Sequence, residues 1–252
     1  MRDVDRGYRR VDLHIHTPFS ACYIDHIKPE ARRRTRPVEI VDAAIAARLD
    51  AIAITDHNGA EMIDRIRPLA AEQGLTIFPG TELSTRGGHL LAIFDPDTGV
   101  AVICELLAAI GFRPEQWGDG FQRTQTWMDA AIDEITARGG IAIPAHVDRE
   151  PRGFLASDER PSDKARIFHK EGIAALEITD PRKKERWNRG ADPRYRIPRA
   201  CIQSSDAHAP EEVGRRPVLL QMDHLRLDDL RLALADYDNR VRFPGEAEAG
   251  GK

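Results

Sequence analysis

The feature that most constrains this 252-residue chain is a metal-ligand pattern set behind short apolar runs. Asp12-Leu13-His14-Ile15-His16-Thr17 stands directly after Val11. Side chains alternate across an extended strand, so His14 and His16 project to one face and can reach one cation. Four further clusters follow: Thr55-Asp56-His57-Asn58, Thr81-Glu82 with His89, Pro144-Ala145-His146, and Asp206-Ala207-His208. Each comes after a short apolar or β-branched run, at 51–54, 76–78, 141–143 and 200–202. Ligands at the ends of successive strands are how α/β barrels gather distant residues at one mouth. A lone histidine is ordinarily a core or surface residue, and His26, His169 and His224, which lack this context, are read that way.

The segments DLHIHT, ITDHN, PGTELST followed by GGHLLAIF, PAHVD and SSDAH occur in this order between residues 11 and 214. They resemble the motifs of the polymerase and histidinol phosphatase (PHP) family of metal-dependent phosphoesterases. The resemblance implies an α/β fold, a distorted seven-stranded (βα) barrel of TIM-like form with the metal site at the C-terminal mouth of the strands. It also implies up to three zinc, manganese or iron ions and hydrolysis of phosphomonoesters, nucleotides or DNA ends. Carried over by position, His14, His16, Glu82 and Asp206 would bind one ion, and Glu82 would bridge to a second held by His89 and His146. A third would take His57, His208 and a residue soon after the His-x-His pair. There the chain departs from the common Asp or His and reads Thr17-Pro18-Phe19-Ser20-Ala21-Cys22-Tyr23. Cys22 is the nearest candidate, since a thiolate binds zinc well; Asp25 and His26 are alternatives, and a small buried hydrophobe is the other role open to Cys22. The wording HTPFSACY is also similar to PHP domains that precede an ATPase, so a partner ATPase is left open.

Length and 41% hydrophobic content suit one barrel-sized core, so residues 1–252 are expected to form a single domain, with a disordered tail from about 244. Cys22, Cys104 and Cys201 are an odd set without paired spacing, which argues against a disulfide framework. The charged N-terminus has no apolar stretch of signal or membrane length, so a cytoplasmic location without membrane contact is expected.

Strands are predicted at 11–15, 51–55, 76–78, 89–94, 141–144, 174–178 and 200–202, alternating with helices at 38–48, 60–73, 102–110 and 124–138 as a parallel sheet requires. Pro37 suits a first helical turn, Asn58 suits an N-cap, and Gly74 and Gly139-Gly140 suit helix ends.

The segment 180–199 concentrates positive charge: Arg182, Lys183, Lys184, Arg186, Arg189, Arg194, Arg196 and Arg199 against Asp180, Glu185 and Asp192. It reads either as a solvated loop or as a phosphate-reading one whose Trp187 and Tyr195 stack on a base. Arg86 and Arg152 are candidate substrate-binding residues, because a guanidinium fork matches phosphate oxygens, and equally ordinary surface arginines. The net charge of −4 excludes a general nucleic-acid footprint and favours a phosphorylated small molecule or a nucleic-acid end. Catalysis is expected from a metal-bound water in a two- or three-metal site, without a protein nucleophile. Ser204 and Ser205 lack a base and orienter, while Asp12 and Asp56 are candidate orienters of the imidazoles. Two other classes compete: an amidohydrolase-type C–N hydrolase, which usually needs a bridging lysine absent from these motifs, and a metal-holding regulatory module without turnover.

Overall fold

The computed structural model describes residues 7–23, 35–150 and 153–246. Its elements in chain order are β1 (Tyr8–Ile15), α1 (Pro37–Ala46), β2 (Ala51–Ile54), α2 (Ile63–Glu72), β3 (Thr76–Thr85), β4 (Gly88–Ile93), α3 (Val100–Ala109), α4 (Met128–Ala137), β5 (Ile141–Pro144), α5 (Pro161–Phe168), β6 (Leu176–Glu177), α6 (Lys184–Asn188), β7 (Cys201–Ile202), β8 (Val218–Gln221), α7 (Leu227–Ala235), α8 (Tyr237–Arg240) and β9 (Val241–Arg242). No helix among the described residues is long and apolar enough to cross a membrane.

Seven strands form one strongly curled mixed sheet in the order β5-β4-β3-β2-β1-β8-β9, a half-barrel, and β6 and β7 form a separate parallel pair. The expected distorted seven-stranded (βα) barrel is met in part: the sheet curls but does not close, and it mixes parallel with antiparallel pairs. β3 and β4 run antiparallel because only Arg86 and Gly87 connect them. A parallel return needs a crossover of about a dozen residues or more, whereas a hairpin needs two. Gly87 and Gly88, at φ +109 and +126, supply the left-handed backbone this turn demands. On the other side, β6 and β7 are two residues long, and the segments flanking them meet the large sheet through isolated bridges, Ala142 with Ile173 and Ile15 with Ala207.

The centre of the sheet obeys the sequence pattern. β1, β2 and β3 are parallel neighbours, with Val11 beside Ala51 and Ile52 beside Ile77. β2, Ala-Ile-Ala-Ile, is wholly buried, as a strand covered on both faces must be. α1 and α2 pack on each other and add Ile40, Val41 and Ala44 and Ile63, Ile66 and Ala70 to the same core. Burying each such isoleucine contributes about 1.5–3 kcal/mol. Pro37 does occupy the first turn of α1. Asn58, by contrast, caps no helix: α2 begins after Met62, and the Asn58 amide bonds elsewhere. α4 starts four residues later than the pattern predicts, because the hydroxyls of Thr124 and Thr126 both donate to the Ile110 carbonyl. β3 continues to Thr85, so Glu82 lies within the strand, opposite Leu91, and not beyond its end. β8 and β9 extend the sheet beyond β1, at places where no strand was expected.

Candidate metal centre

Glu82 is the hub. Its Oε2 lies 2.9 Å from His57 Nδ1, 3.3 Å from His16 Nε2 and 3.4 Å from His14 Nε2. Its Oε1 lies 2.8 Å from His89 Nδ1 and 3.0 Å from His146 Nε2. One buried carboxylate thus meets five imidazoles contributed by β1, β2, β4 and β5 or the residues just after them. Asp206, which follows β7, adds Oδ1 at 3.2 Å from Nε2 of both His14 and His16. Two of these groups, His146 and Asp206, together with Asn58 beside His57, hold positive φ angles of 31°, 51° and 46°. Such backbone costs on the order of 1–3 kcal/mol per residue and persists where the surroundings impose it, often at functional sites.

The chemistry of the donors fits a cation. His14 Nδ1 lies 3.1 Å from Glu177 Oε2, which can only accept, so the proton sits on Nδ1 and Nε2 turns a lone pair inward. The Ser20 hydroxyl donates to Asp56 at 2.6 Å and therefore accepts from His16 Nδ1 at 2.9 Å, which again leaves Nε2 unprotonated toward the cluster. His208 Nδ1 donates to the Asp206 carbonyl at 2.8 Å, leaving its Nε2 3.0 Å from Cys22 Sγ. The Nε2 atoms of His14 and His16 then face each other at 3.1 Å, an arrangement that a shared positive ion relieves. Nδ1 of His57 is buried without a hydrogen bond despite its nearness to Glu82. Among the described residues three sets of donors converge closely enough to hold an ion: His14, His16, Glu82 and Asp206; His57, Glu82 and His89; and His16, Cys22, His57 and His208.

The structure therefore gathers all nine candidate ligands, and it alters their grouping. His57 stands with Glu82 and His89 as well as with Cys22 and His208, and His16 is shared by two sets. Asp25 and His26, the alternatives to Cys22, lie outside the described residues. Glu177 is the residue that sequence reasoning missed. It is buried, faces His14, and accepts the His146 backbone N–H at 2.8 Å. A carboxylate inside an apolar run, Ala174-Ala-Leu-Glu-Ile, was the available signal. Asp12 orients no imidazole: it accepts backbone N–H groups from Ser205 and Gly214, tying the Asp206 loop to β1. Asp56 accepts from the Thr17 N–H and hydroxyl and from Ser20, so it acts on His16 through Ser20.

Arg149 also went unnoticed. Its guanidinium lies 2.5 Å from Asp206 Oδ2 with 35% of the side chain exposed, which makes it a cation at the edge of the cluster. The arginines singled out from the sequence fare differently. Arg86, in the β3–β4 turn, stacks over Trp127 at 3.9 Å and approaches Glu159 at 3.8 Å. Arg152 lies outside the described residues. The basic segment 180–199 does not offer a base-stacking surface. Trp187 and Tyr195 are 2% and 6% exposed and pack on Phe168, because burying aromatic area outweighs display in water. Six of its eight cations are ion-paired: Arg186 and Arg194 with Asp192, Lys183 with Asp148, Lys184 with Glu246, Arg182 with Asp180 and Arg189 with Glu185.

Without a bound cation the cluster is a web of ion pairs. Burial opposes a charge on His14, but Glu177, Asp206 and Glu82 overcome it and raise its pKa well above the ordinary range. Burial likewise opposes charge on His16, yet bonds to Asp206 and Glu82 raise it to about 9. Burial and the charge of His16 push His208 down to about 3, and burial with the Glu82 and Asp206 charges pushes the Cys22 thiol up to about 12. His16 thus gains a proton on folding: its contribution is complete below the unfolded pKa near 6.5 and disappears as pH rises through about 9. Chelator-treated protein is expected to lose on the order of 3 kcal/mol of stability across that window. Thermal unfolding at constant ionic strength measures it, and a melting temperature unchanged from pH 6 to 9.5 would contradict it.

No family model and no curated protein matches this sequence. Solved structures do. The lesion-specific endonuclease Q of Pyrococcus furiosus superposes with a TM-score of 0.66 at 17% identity, over 94% of this chain and 57% of that one. A two-domain protein from Bacteroides vulgatus containing a predicted PHP-like metal-dependent phosphoesterase gives 0.63 at 18%, over 96% and 66%. A protein from Bifidobacterium adolescentis described as a candidate metal-dependent phosphoesterase gives 0.57 at 18%, over 89% and 95%. The chain spans less than two thirds of the first two. At such identities the likeness is one of fold.

Proposed function

We propose that this chain is a hydrolase of phosphate esters, acting on nucleotides or nucleic-acid ends with two or three divalent ions, zinc, manganese or iron, gathered around Glu82. The observation that carries it is the convergence of five imidazoles on one buried carboxylate, with Asp206 and Cys22 completing flanking donor sets. This set is richer in nitrogen and oxygen than the closed cysteine-rich sites that serve structure alone. The fold neighbours support it: one is named as a lesion-specific endonuclease and two as metal-dependent phosphoesterases. The common hydrophobic cluster of the described residues supports a single domain.

In this reading His14, His16, Glu82 and Asp206 hold one ion, Glu82 with His89 and His146 a second, and His57, His208 and Cys22 a third. Such ions, when bound, supply Lewis acidity toward a phosphoryl oxygen and acidify water. The protein's own groups do the positioning. Glu177 keeps the His14 proton on Nδ1, the Asp56–Ser20 pair does the same for His16, and the Asp206 carbonyl does it for His208. Arg149 offers a guanidinium to the phosphate oxygens, exchanging part of its pairing with Asp206, beside the candidates Arg86 and Arg152. No serine acts as nucleophile; Ser205 is spent on Asp12 and on the Arg216 backbone N–H. The basic segment, whose cations are mostly ion-paired, and the net charge of −4 suit a small substrate over a long duplex.

The test is a hydrolysis screen of protein loaded in turn with zinc, manganese and iron, against an aryl phosphate, mononucleotides, sugar phosphates, and single-stranded DNA and RNA. Turnover of the aryl phosphate and of nucleotides or strand ends is expected. No turnover of any ester with any of the three metals would refute the proposal.

A further inference from the structure

Two kinds of donor set meet at the cluster, and they differ in softness. His14, His16, Glu82 and Asp206 combine imidazoles with carboxylates, and so do His57, Glu82 and His89. The set of His16, Cys22, His57 and His208 holds, among the described residues, a thiol and no carboxylate. Carboxylate oxygens suit manganese as well as zinc, whereas a thiolate favours zinc and other thiophilic ions.

The sulfur is held in place from both sides. On its own side, the Ser20 N–H donates to the Thr17 carbonyl and the Tyr23 N–H to the Ser20 carbonyl, each at 3.0 Å, and the Ala21 N–H donates to the Gly118 carbonyl at 2.7 Å. The Ser20 hydroxyl accepts the His57 backbone N–H at 3.1 Å, which ties this segment to the residues after β2. Tyr23, next to Cys22, is buried. On the facing side, the His208 backbone N–H donates to Glu212 Oε2 at 2.7 Å and its ring Nδ1 donates to the Asp206 carbonyl. His208 Nε2 therefore carries a lone pair, and the Cys22 S–H, with its sulfur 3.0 Å away, donates to it. A divalent ion that takes the place of this proton gains a sulfur and a nitrogen ligand together.

His16 cannot serve both kinds of position at once. Its Nδ1 proton is given to Ser20, so Nε2 offers a single lone pair, and that atom lies 3.2 Å from Asp206 Oδ1 and 3.3 Å from Glu82 Oε2. With His16 committed to the carboxylates, Cys22, His57 and His208 remain as three protein ligands with a fourth place open. That count belongs to reactive zinc sites, since structural ones are closed by four. His57 adds an independent sign of a ligand: its Nδ1 is buried and makes no hydrogen bond.

Resting on the metal positions of the reading above, we propose that the centre is mixed: the position of Cys22, His57 and His208 selects zinc, the positions around Glu82 accept manganese or iron(II) beside it, and Cys22 sets the difference. The softness of one sulfur, and not the number of ligands, then decides which ion sits where.

The experiment uses the whole chain stripped of metal, with cobalt(II) as the probe, because a thiolate on cobalt gives a near-ultraviolet charge-transfer band that imidazoles and carboxylates do not. Wild type, Cys22→Asp and Cys22→Ser are compared. Wild type is expected to develop the band as cobalt binds; zinc should abolish it, and manganese at about a hundredfold excess should not. Dialysed against that manganese with limiting zinc, wild type should retain roughly one zinc by elemental analysis, and Cys22→Asp should lower the zinc-over-manganese preference by about tenfold or more. Both variants should lack the band while binding cobalt at the remaining positions, which reports that they are folded. Three results each overturn the proposal: no band in wild type with cobalt bound, a band that persists in the variants and so belongs to Cys104 or Cys201, or a band that manganese removes as readily as zinc. If neither variant folds, the wild-type band and its zinc retention decide alone. The hydrolysis screen judges the phosphoesterase reading separately: the band without turnover refutes that reading and keeps the mixed centre, and turnover without the band does the reverse.

Discussion

Glu82→Gln is expected to reduce phosphate-ester hydrolysis by about a thousandfold or more, well beyond the 10–100-fold typical when a group supporting a metal ligand is lost. Among the described residues Glu82 is the one carboxylate within 3.4 Å of all five of His14, His16, His57, His89 and His146. The amide keeps the shape but removes the charge. It also turns an N–H₂ toward imidazole nitrogens on one side, so one of the two ion positions proposed around Glu82 would lose its oxygen donor and the other would keep only a neutral one. The folded carboxylate, held well below the ordinary range by His89, His57 and His14 against its burial, is an anion at every pH of interest. Elemental analysis should find at least one metal equivalent fewer than in the wild type, and kcat/KM with an aryl phosphate should fall in parallel. Cys22→Ser should cost far less, because Cys22 belongs to a single donor set. Equal losses for the two variants would move the centre of the chemistry from Glu82 to Cys22.

Chelation is expected to abolish turnover and to destabilise the fold together. Each ion that binds only the native state, held at a free concentration about a thousandfold above its Kd, adds about 4 kcal/mol. For a chain of this size that is on the order of 8–16 °C in melting temperature per ion. The structure says why the effect should be large. His14, His16, Glu82 and Asp206 are all nearly or fully buried, and their lone pairs and charges crowd within hydrogen-bonding distance of one another. Differential scanning calorimetry before and after dialysis against chelator, followed by re-addition of zinc, manganese or iron, measures both quantities. A metal-free protein with full activity and an unchanged melting temperature would remove the basis for a metal centre.

The sequence was most legible where side-chain periodicity and local apolarity agree. The His-x-His pair on β1, the buried run of β2 and the strand before Ala145-His146 could be placed from the alternation of residues and their β-branched content alone. The ligand types could be named because few residue types bind hard and borderline cations. Less legible were groups whose role depends on a partner far along the chain. Glu177 reads as one acid in an apolar stretch until the fold sets it against His14, 163 positions away. Arg149 reads as one arginine among many until it meets Asp206. Trp187 and Tyr195 misled for the converse reason: an aromatic in a basic segment looks the same in sequence whether it faces solvent or Phe168.

What the sequence determined by itself was an α/β chain carrying a set of imidazoles and carboxylates at the ends of its apolar strands, since residue type and a period of two are local properties. The tertiary structure decided that the sheet stays an open, curled half-barrel, because a two-residue turn reverses β4 and because β6 and β7 are too short to close the ring. It decided that Glu82 faces five rings at once, that His16 and His57 are each shared between donor sets, and that Asn58 and Ser84 clamp the backbone of the loop 119–122 beside them. These are distances between residues remote in sequence. They follow from register, curl and loop clamping, and no local pattern contains them.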